Sequence, residues 1–420
     1  LPRLHSGLRP KIDYAGAVTL LLAVVPLLLA LTLDKSQHAW GSLLIVGLLI
    51  TSAVGLGLFL VAERRAAAPI LPLQLFRIRT FALTSLIGVS VGATLFAAIF
   101  FLSLYLVNVL GVSATEAGTT LIPLTLSLVF GSVLSSQIVQ RTGRYKLIII
   151  AGMAIIVVAL WWLTTLTPET TIGMVRLRMI ALGLGLGPAL PMLNLAMQNA
   201  VPREDVGAAT ASRQFFQQIG QVVGSAVFGA VLTSALTAAL VANLAPIQAQ
   251  LPPALAAQFD PAALRNGASA GGEGVAGQPA DPAARIDQGI TERFAAQRDL
   301  LTRALRDADP AAIAALTADP QTPAQLKELL PAVGSLPAAA RDQALTQALA
   351  ALDDAEAQAH AQGAQLGAEI SRAVKVSFTD SITAIYRYAI GLAVVALLLA
   401  FFLPELPLRK GHEHAPPAME

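Results

Sequence analysis

The side chains able to do chemistry in the apolar part of this chain are few, and they are amides and guanidiniums. Gln214, Gln217, Gln218 and Gln221 recur at helical spacing just below Arg213, and Asn194 and Gln198 sit four apart on the preceding apolar segment. Amides facing hydrocarbon are costly, so this set is expected to face protein or a water-filled path between the two segments. Arg176 and Arg178 are two residues apart, about 200° around a helix, so one faces inward while the other reaches the headgroups. The groups an intramembrane enzyme would need are missing. The 420 residues contain no cysteine, which removes disulfides, zinc–thiolate sites and thiol catalysis together. All five histidines lie outside the apolar runs, and Asp13, Glu116 and Asp380 lie at their edges. The run GEGVAG at 272–277 matches a phosphate-loop pattern in letters alone, because no strand precedes it. His412 and His414 read as a solvated tail, so no catalytic residue, metal site or bound cofactor is expected.

Composition places these groups in a membrane. The chain is 55% hydrophobic and 13% charged with a mean hydropathy of +0.66, against roughly a quarter charged for soluble domains. Runs of spanning length lie near 13–33, 41–62, 80–107, 118–139, 147–166, 172–199, 214–240 and 382–403. The expected fold is therefore all-α, an integral membrane protein of about eight transmembrane helices. Bases cluster in alternate connections: Arg3, Arg9 and Lys11, then Arg64, Arg65, Arg77 and Arg79, then Arg141, Arg144 and Lys146, then Arg203 and Arg213, and finally Arg409 and Lys410. The intervening connections hold only Lys35. By the positive-inside rule both termini are cytoplasmic, and the long stretch before the last span is outside. The net charge of +2 and pI near 9.0 thus report on orientation rather than on nucleic acid.

Glycine spacing points to close helix packing. Gly88 and Gly92 form a G-x-x-x-G, as do Gly220 and Gly224, while Gly183, Gly185 and Gly187 lead into Pro188 and Pro191. In lipid, packing rather than apolar burial drives helices together, and small residues let backbones approach. On the third span Phe96, Phe100, Phe101, Tyr105 and Asn108 form an aromatic and polar cluster. It reads either as packed core or as the lining of a path for bulky apolar molecules.

The order R-M-x-x-x-G-x-G-x-G-P-x-x-P, then Q-N-x-V-P, then G-A-A-T-A-S-x-x-F-F-Q-Q-I-G over residues 178–220 resembles the penultimate helix pair of the fourteen-helix drug/proton antiporters of the major facilitator superfamily. The resemblance implies a linking helix pair followed by the second six-helix bundle, in the inner or plasma membrane. It also implies a proton gradient as energy source, with Phe100, Phe101, Tyr105, Asn108, Asn194, Gln198, Gln217 and Gln221 along a path for a small amphipathic substrate. Arg178 matches the family's R-M pair. Gly131, Arg141, Gly143, Arg144 and Lys146 match the superfamily's cytoplasmic loop, although Gln140 stands where an acidic residue usually precedes the first arginine. The chain opens on Leu1 without a signal-peptide pattern, so a longer protein is expected, with a first six-helix bundle as the partner of this one.

The stretch 241–380 is not covered by any of these motifs. It is rich in Ala, Pro and Gln and acidic, with fifteen acids against ten bases up to residue 375. Asp309-Pro310 and Asp319-Pro320 read as helix starts, and Ile290, Phe294, Leu301 and Leu305 share a helical face. No proline interrupts 338–403, so one long helix is expected to lead into the last span, with a break near Gly363. The expected organisation is 1–79 as the linking pair and its loop, 80–240 as five helices, 241–380 as an extracytoplasmic insert, 381–404 as the last span and 405–420 as a tail. A membrane-anchored assembly protein acting through the insert, or an insert that receives an outer adaptor, is the alternative to transport.

Overall fold

Among the described residues, eight helices carry an apolar run long enough to cross a bilayer. The computed structural model describes residues 13–33, 38, 40–66, 69–248, 282–319, 322 and 324–407. Both termini, Lys35, the 272–277 run, His412 and His414 lie outside these residues. The α-helices are α1 (Tyr14–Thr32), α2 (Leu43–Arg65), α3 (Arg79–Asn108), α4 (Ala114–Thr120), α5 (Ile122–Thr142), α6 (Lys146–Leu163), α7 (Ile172–Ala200), α8 (Val206–Gln248), α9 (Pro282–Leu305), α10 (Pro310–Ala318), α11 (Ala324–Leu329) and α12 (Ala338–Phe401). They form two compact units, one reaching Leu236 and resuming at Phe378, the other Thr237–Ser377.

Local chemistry sets the helix ends of the first unit. Asp13, Ser42, Ser113 and Thr171 each accept a hydrogen bond from a backbone N–H three residues on, capping α1, α2, α4 and α7. Gly143, in the left-handed region at φ 71°, closes α5 as its N–H bonds the Val139 carbonyl at 2.8 Å. The fourth span is divided at Leu121 into α4 and α5, because Pro123 has no N–H to return to the preceding turn.

Helix α7 is the centre of the unit, packed on α5 along one side and on α6 along the other. Its glycine run explains how. A Cβ on Gly183 would overlap Ser127 and the Leu124 carbonyl, and one on Gly187 would overlap the Leu128 carbonyl, all on α5. A Cβ on Gly185 would press on Ile156 and the Gly152 carbonyl of α6. Residues two apart on a helix point to opposite sides, so the alternation serves two neighbours at once. Helices α3 and α8 interlock by the other two motifs: a Cβ on Gly92 would overlap the Gln217 carbonyl, one on Gly220 the Val89 carbonyl, and one on Gly224 would stand 2.7 Å from the Ala93 Cα. Gly88 is looser, since a Cβ there would stand 3.7 Å from the Arg213 carbonyl oxygen.

In α1 and α2 only 22% of each span is buried, against 67% for α3. The buried stripe of α2 holds Ile45, Ser52, Gly55, Phe59 and Glu63. Ser52 Oγ donates to the Ala23 carbonyl at 2.6 Å, and Gly55 lies against the Leu22–Ala23 backbone.

Two helices outrun their hydrophobic stretch. Helix α8 starts eight residues before the expected 214 and ends eight after 240, and α12 runs 64 residues without the break expected at Gly363. Gly363 is instead a packing position, where a Cβ would come within 2.6 Å of Ile290 Cδ1. Unit Thr237–Ser377 has its own core of Leu301, Leu305, Leu316, Leu330, Val333 and Leu345 among others, with Phe294 packed against it. Asp309 caps α10 by accepting from the Ala311 N–H at 2.9 Å. Asp319 sits at the C-terminal end of α10, and Pro320 lies outside the described residues.

Candidate functional site

The α7–α8 hairpin carries a polar layer built around Arg213. Two turns into α8 and only 4% exposed, Arg213 donates from Nε to Asn194 Oδ1 at 2.5 Å and from Nη1 to Gln217 Oε1 at 3.3 Å. One turn toward the loop, Gln198 Nε2 donates to Thr210 Oγ1 at 3.2 Å, and Thr210 in turn donates to the Val206 carbonyl. Asn194 and Gln198 on α7 thus meet Arg213 and Thr210 on α8, the antiparallel register a short loop imposes. The expected amide stripe divides. Arg213, Gln217 and Gln221 lie four apart on the face turned toward Gly88 and Gly92 of α3, whereas Gln214 and Gln218 are exposed on the neighbouring face.

The second buried guanidinium lies near the other end of α7. Arg176 is exposed and Arg178 is 4% exposed, the division their spacing requires. Arg178 Nη2 donates to Thr165 Oγ1 at 3.1 Å and to the Thr165 carbonyl at 3.3 Å, and the guanidinium stands 5.7 Å from the Trp162 ring centroid. Its Nε and Nη1 are buried without a hydrogen-bond partner. The buried Tyr386 hydroxyl also has none. No ion pair forms among the described residues of this unit; those of the described chain all fall between 287 and 360.

In the aromatic cluster of α3, Phe101 and Tyr105 are buried. Phe101 is 1% exposed and meets Phe228 edge-on at 6.5 Å, and Tyr105 is fully enclosed with its hydroxyl donating to the Thr167 carbonyl at 2.7 Å. In this structure their rings close α3 against its neighbours. Phe100, stacked on Phe96 at 5.1 Å, keeps 40% exposure, and Asn108 returns its amide to the Leu104 carbonyl.

At the loop between α5 and α6, Arg141 and Arg144 are exposed and Lys146 opens α6, while Gly131 lies deeper in α5 against Pro188, whose Cδ is 3.0 Å from where a Cβ would stand. Sequence reasoning passed over the residue between them. Tyr145 is fully buried, and its hydroxyl accepts from the Leu406 N–H at 2.8 Å and donates to the Pro404 carbonyl at 3.4 Å. Asn199 Nδ2 donates to the Pro407 carbonyl at 3.0 Å, so the segment after α12 is held from two helices. Glu63 was likewise missed. It is 4% exposed and accepts from the Ile70 and Leu71 amides, both at 3.1 Å, pinning the turn after α2. A lone aromatic or acid at a helix end gives no periodic signal.

In the other unit, Arg298 of α9 reaches Asp353 and Glu356 of α12, both at 2.5 Å, and His360 Nδ1 lies 2.6 Å from Asp287. The Asp353 hydrogen bond first, then the charge of Glu356, hold the Arg298 guanidinium above its usual range. An open groove in this unit is lined by Asn243, Ile247, Glu369, Arg372, Ala373 and Val376. Among the described residues no His, Asp and Glu cluster could hold a metal ion.

The buried polar layer around Arg213 lies in an otherwise apolar helical bundle whose sequence resembles several known proteins. Over 208 residues the chain is 38% identical to the multidrug transporter protein MdtP of Bacillus subtilis (strain 168), covering 50% of this chain and 38% of that protein. It is 38% identical over 220 residues to an uncharacterized MFS-type transporter of Mycobacterium tuberculosis, covering 52% and 32%. Against a tetracycline resistance determinant of Streptomyces rimosus it is 32% identical over 209 residues, covering 50% and 60%. The matched stretch is thus about a third of the first two relatives. The sequence profile of the family described as Major Facilitator Superfamily matches residues 14–225, half of the chain, and the chain is a multi-pass membrane protein belonging to the Major Facilitator Superfamily.

Proposed function

We propose that this chain is the linking pair and second bundle of a fourteen-helix exporter that moves small amphipathic molecules outward, driven by a proton gradient. The observation that carries the reading is the pair Gln214 and Gln218, exposed on the surface of a bundle whose other exposed residues are largely apolar. Amides left against lipid would be unfavourable, so this face is the one a first six-helix bundle covers. Facilitators work by rocking two bundles about a site at their interface, and the Asn194, Gln198, Gln217 and Gln221 amides, with Phe100 at the margin, lie beside that face. Arg141, Arg144 and Lys146 are cytoplasmic in this reading, and the unit Thr237–Ser377 is outside, where an adaptor can reach it. Reporters fused after Arg79 and after Ser335 test the orientation; activity on the same side of the membrane sinks it.

Coupling to protons needs an ionisable group that is buried and exchanges protons on alternate sides. The spans of this chain hold carboxylates only at their edges. Residues 1–420 alone are therefore expected to insert without exporting, and co-expression of a matching upstream half is expected to restore efflux. Proton-driven export by this segment alone in liposomes would overturn the reading.

A further inference from the structure

The interior of the membrane unit carries two buried positive charges, and the one buried carboxylate among its described residues, Glu63 at the end of α2, is taken up by the Ile70 and Leu71 amides rather than by either arginine. Arg213 and Arg178 are each 4% exposed, and neither forms an ion pair among the described residues. The nearest carboxylates in sequence, Glu169 on one side and Glu204 and Asp205 on the other, lie in the loops that flank α7. Arg213 is neutralised by nothing stronger than two amide oxygens: Nε is committed to Asn194 and Nη1 to Gln217, while Nη2 makes no hydrogen bond among the described residues. Beside it on the same helix stand the exposed amides of Gln214 and Gln218. Guanidinium charge is at its most effective where water is excluded, and its planar set of donors suits a carboxylate, sulfonate or phenolate. A lipophilic cation entering the same place meets uncompensated like charge.

From this we infer that the path along α7 and α8 selects amphipathic organic anions, with the free Nη2 edge of Arg213 receiving the anionic group and Gln214 and Gln218 assisting at the rim. Arg178, at the other end of α7, keeps the positive potential going along the helix. The inference rests on the transport reading above and narrows its substrate class. A carboxylate of the first bundle that permanently neutralises Arg213 is the competing occupant, and it predicts the opposite selectivity.

The test uses the complete transporter, this chain with its upstream half, purified and studied with two fluorescent probes of similar size: the fluorescein anion and the ethidium cation. Binding is read by anisotropy, and pH-gradient-driven movement is read in liposomes. Fluorescein is expected to bind at least tenfold more tightly than ethidium to the unmodified protein, a comparison that needs no variant to fold. Arg213→Gln is expected to weaken fluorescein binding tenfold or more while leaving ethidium unchanged or tighter, and Arg213→Lys to keep part of the preference. Tighter ethidium binding in the parent, or a parallel loss of both probes in Arg213→Gln, overturns the inference and favours a carboxylate partner for the arginine. Selective fluorescein binding without any transport would uphold the anion site and sink the exporter reading.

Discussion

The Tyr145 hydroxyl accepts a hydrogen bond at 2.8 Å from the backbone N–H of Leu406, 261 residues further along the chain. With its second bond, to the Pro404 carbonyl, it ties the exit of the last span to the loop between α5 and α6. Tyr145→Phe removes both and leaves the phenyl ring in place, at a cost of about 1–2 kcal/mol. Thiol labelling of Glu405→Cys should then become faster, with a lower Tm in detergent. Unchanged labelling would mean that the segment is held by Asn199 alone.

The glycines of α8 separate contact from composition. Gly220→Ala drives a methyl into the Val89 carbonyl, whereas Gly229→Ala meets nothing within 4 Å. Overpacking is expected to destabilise the first by about 1–3 kcal/mol. Better helix propensity leaves the second neutral or up to about 1 kcal/mol more stable. Comparison of the two variants by thermal unfolding checks the α3–α8 interlock, and equal effects would contradict it.

Arg178 offers a stability test with an unusual sign. Its Nε and Nη1 are buried without partners, so the cost of desolvation exceeds what Thr165 and Trp162 return. Arg178→Met is expected to be within about 1 kcal/mol of the parent or more stable. A loss of several kcal/mol would show that the guanidinium has a partner inside the folded bundle.

In the unit Thr237–Ser377, Leu305 is fully buried while Arg298 is partly exposed. Leu305→Ala should cost about 2–5 kcal/mol of that unit's stability. Arg298→Ala should cost far less, and its effect should fade at high salt because exposed ion pairs are screened. A salt-independent loss on removing Arg298 would place its pairs out of reach of solvent.

The eight spans, their alternation of basic loops and the division between Arg176 and Arg178 were legible in the sequence because length, charge and helical spacing are local properties. The long approach of α12 to the last span was legible too, from the absence of proline over 338–403, but the overrun of α8 was not, since hydropathy reports only the stretch that lipid would contact and is silent on an Ala-rich helix continuing beyond it. Phe101 and Tyr105 could be read as core or lining from the same letters, and their contacts with Phe228 and Thr167 are visible only in the fold. The glycines of α7 were visible as a run, yet their assignment to two opposite neighbours required α5 and α6 to be in place. Tyr145 and Glu63 act through backbone groups distant in space or in a turn, for which no spacing rule exists.

The sparsely buried α1–α2 pair has a bearing on the choice of bilayer. At 19 residues α1 is about 28 Å long, close to the hydrocarbon thickness, whereas α3 at 30 residues is about 45 Å and has length to spare. A thicker membrane can be met by α3 becoming more upright, but α1 has no reserve and must draw the lipid inward around itself. Acyl-chain length therefore acts on this protein first through the hairpin, and through the Ser52–Ala23 bond that holds its two helices in register.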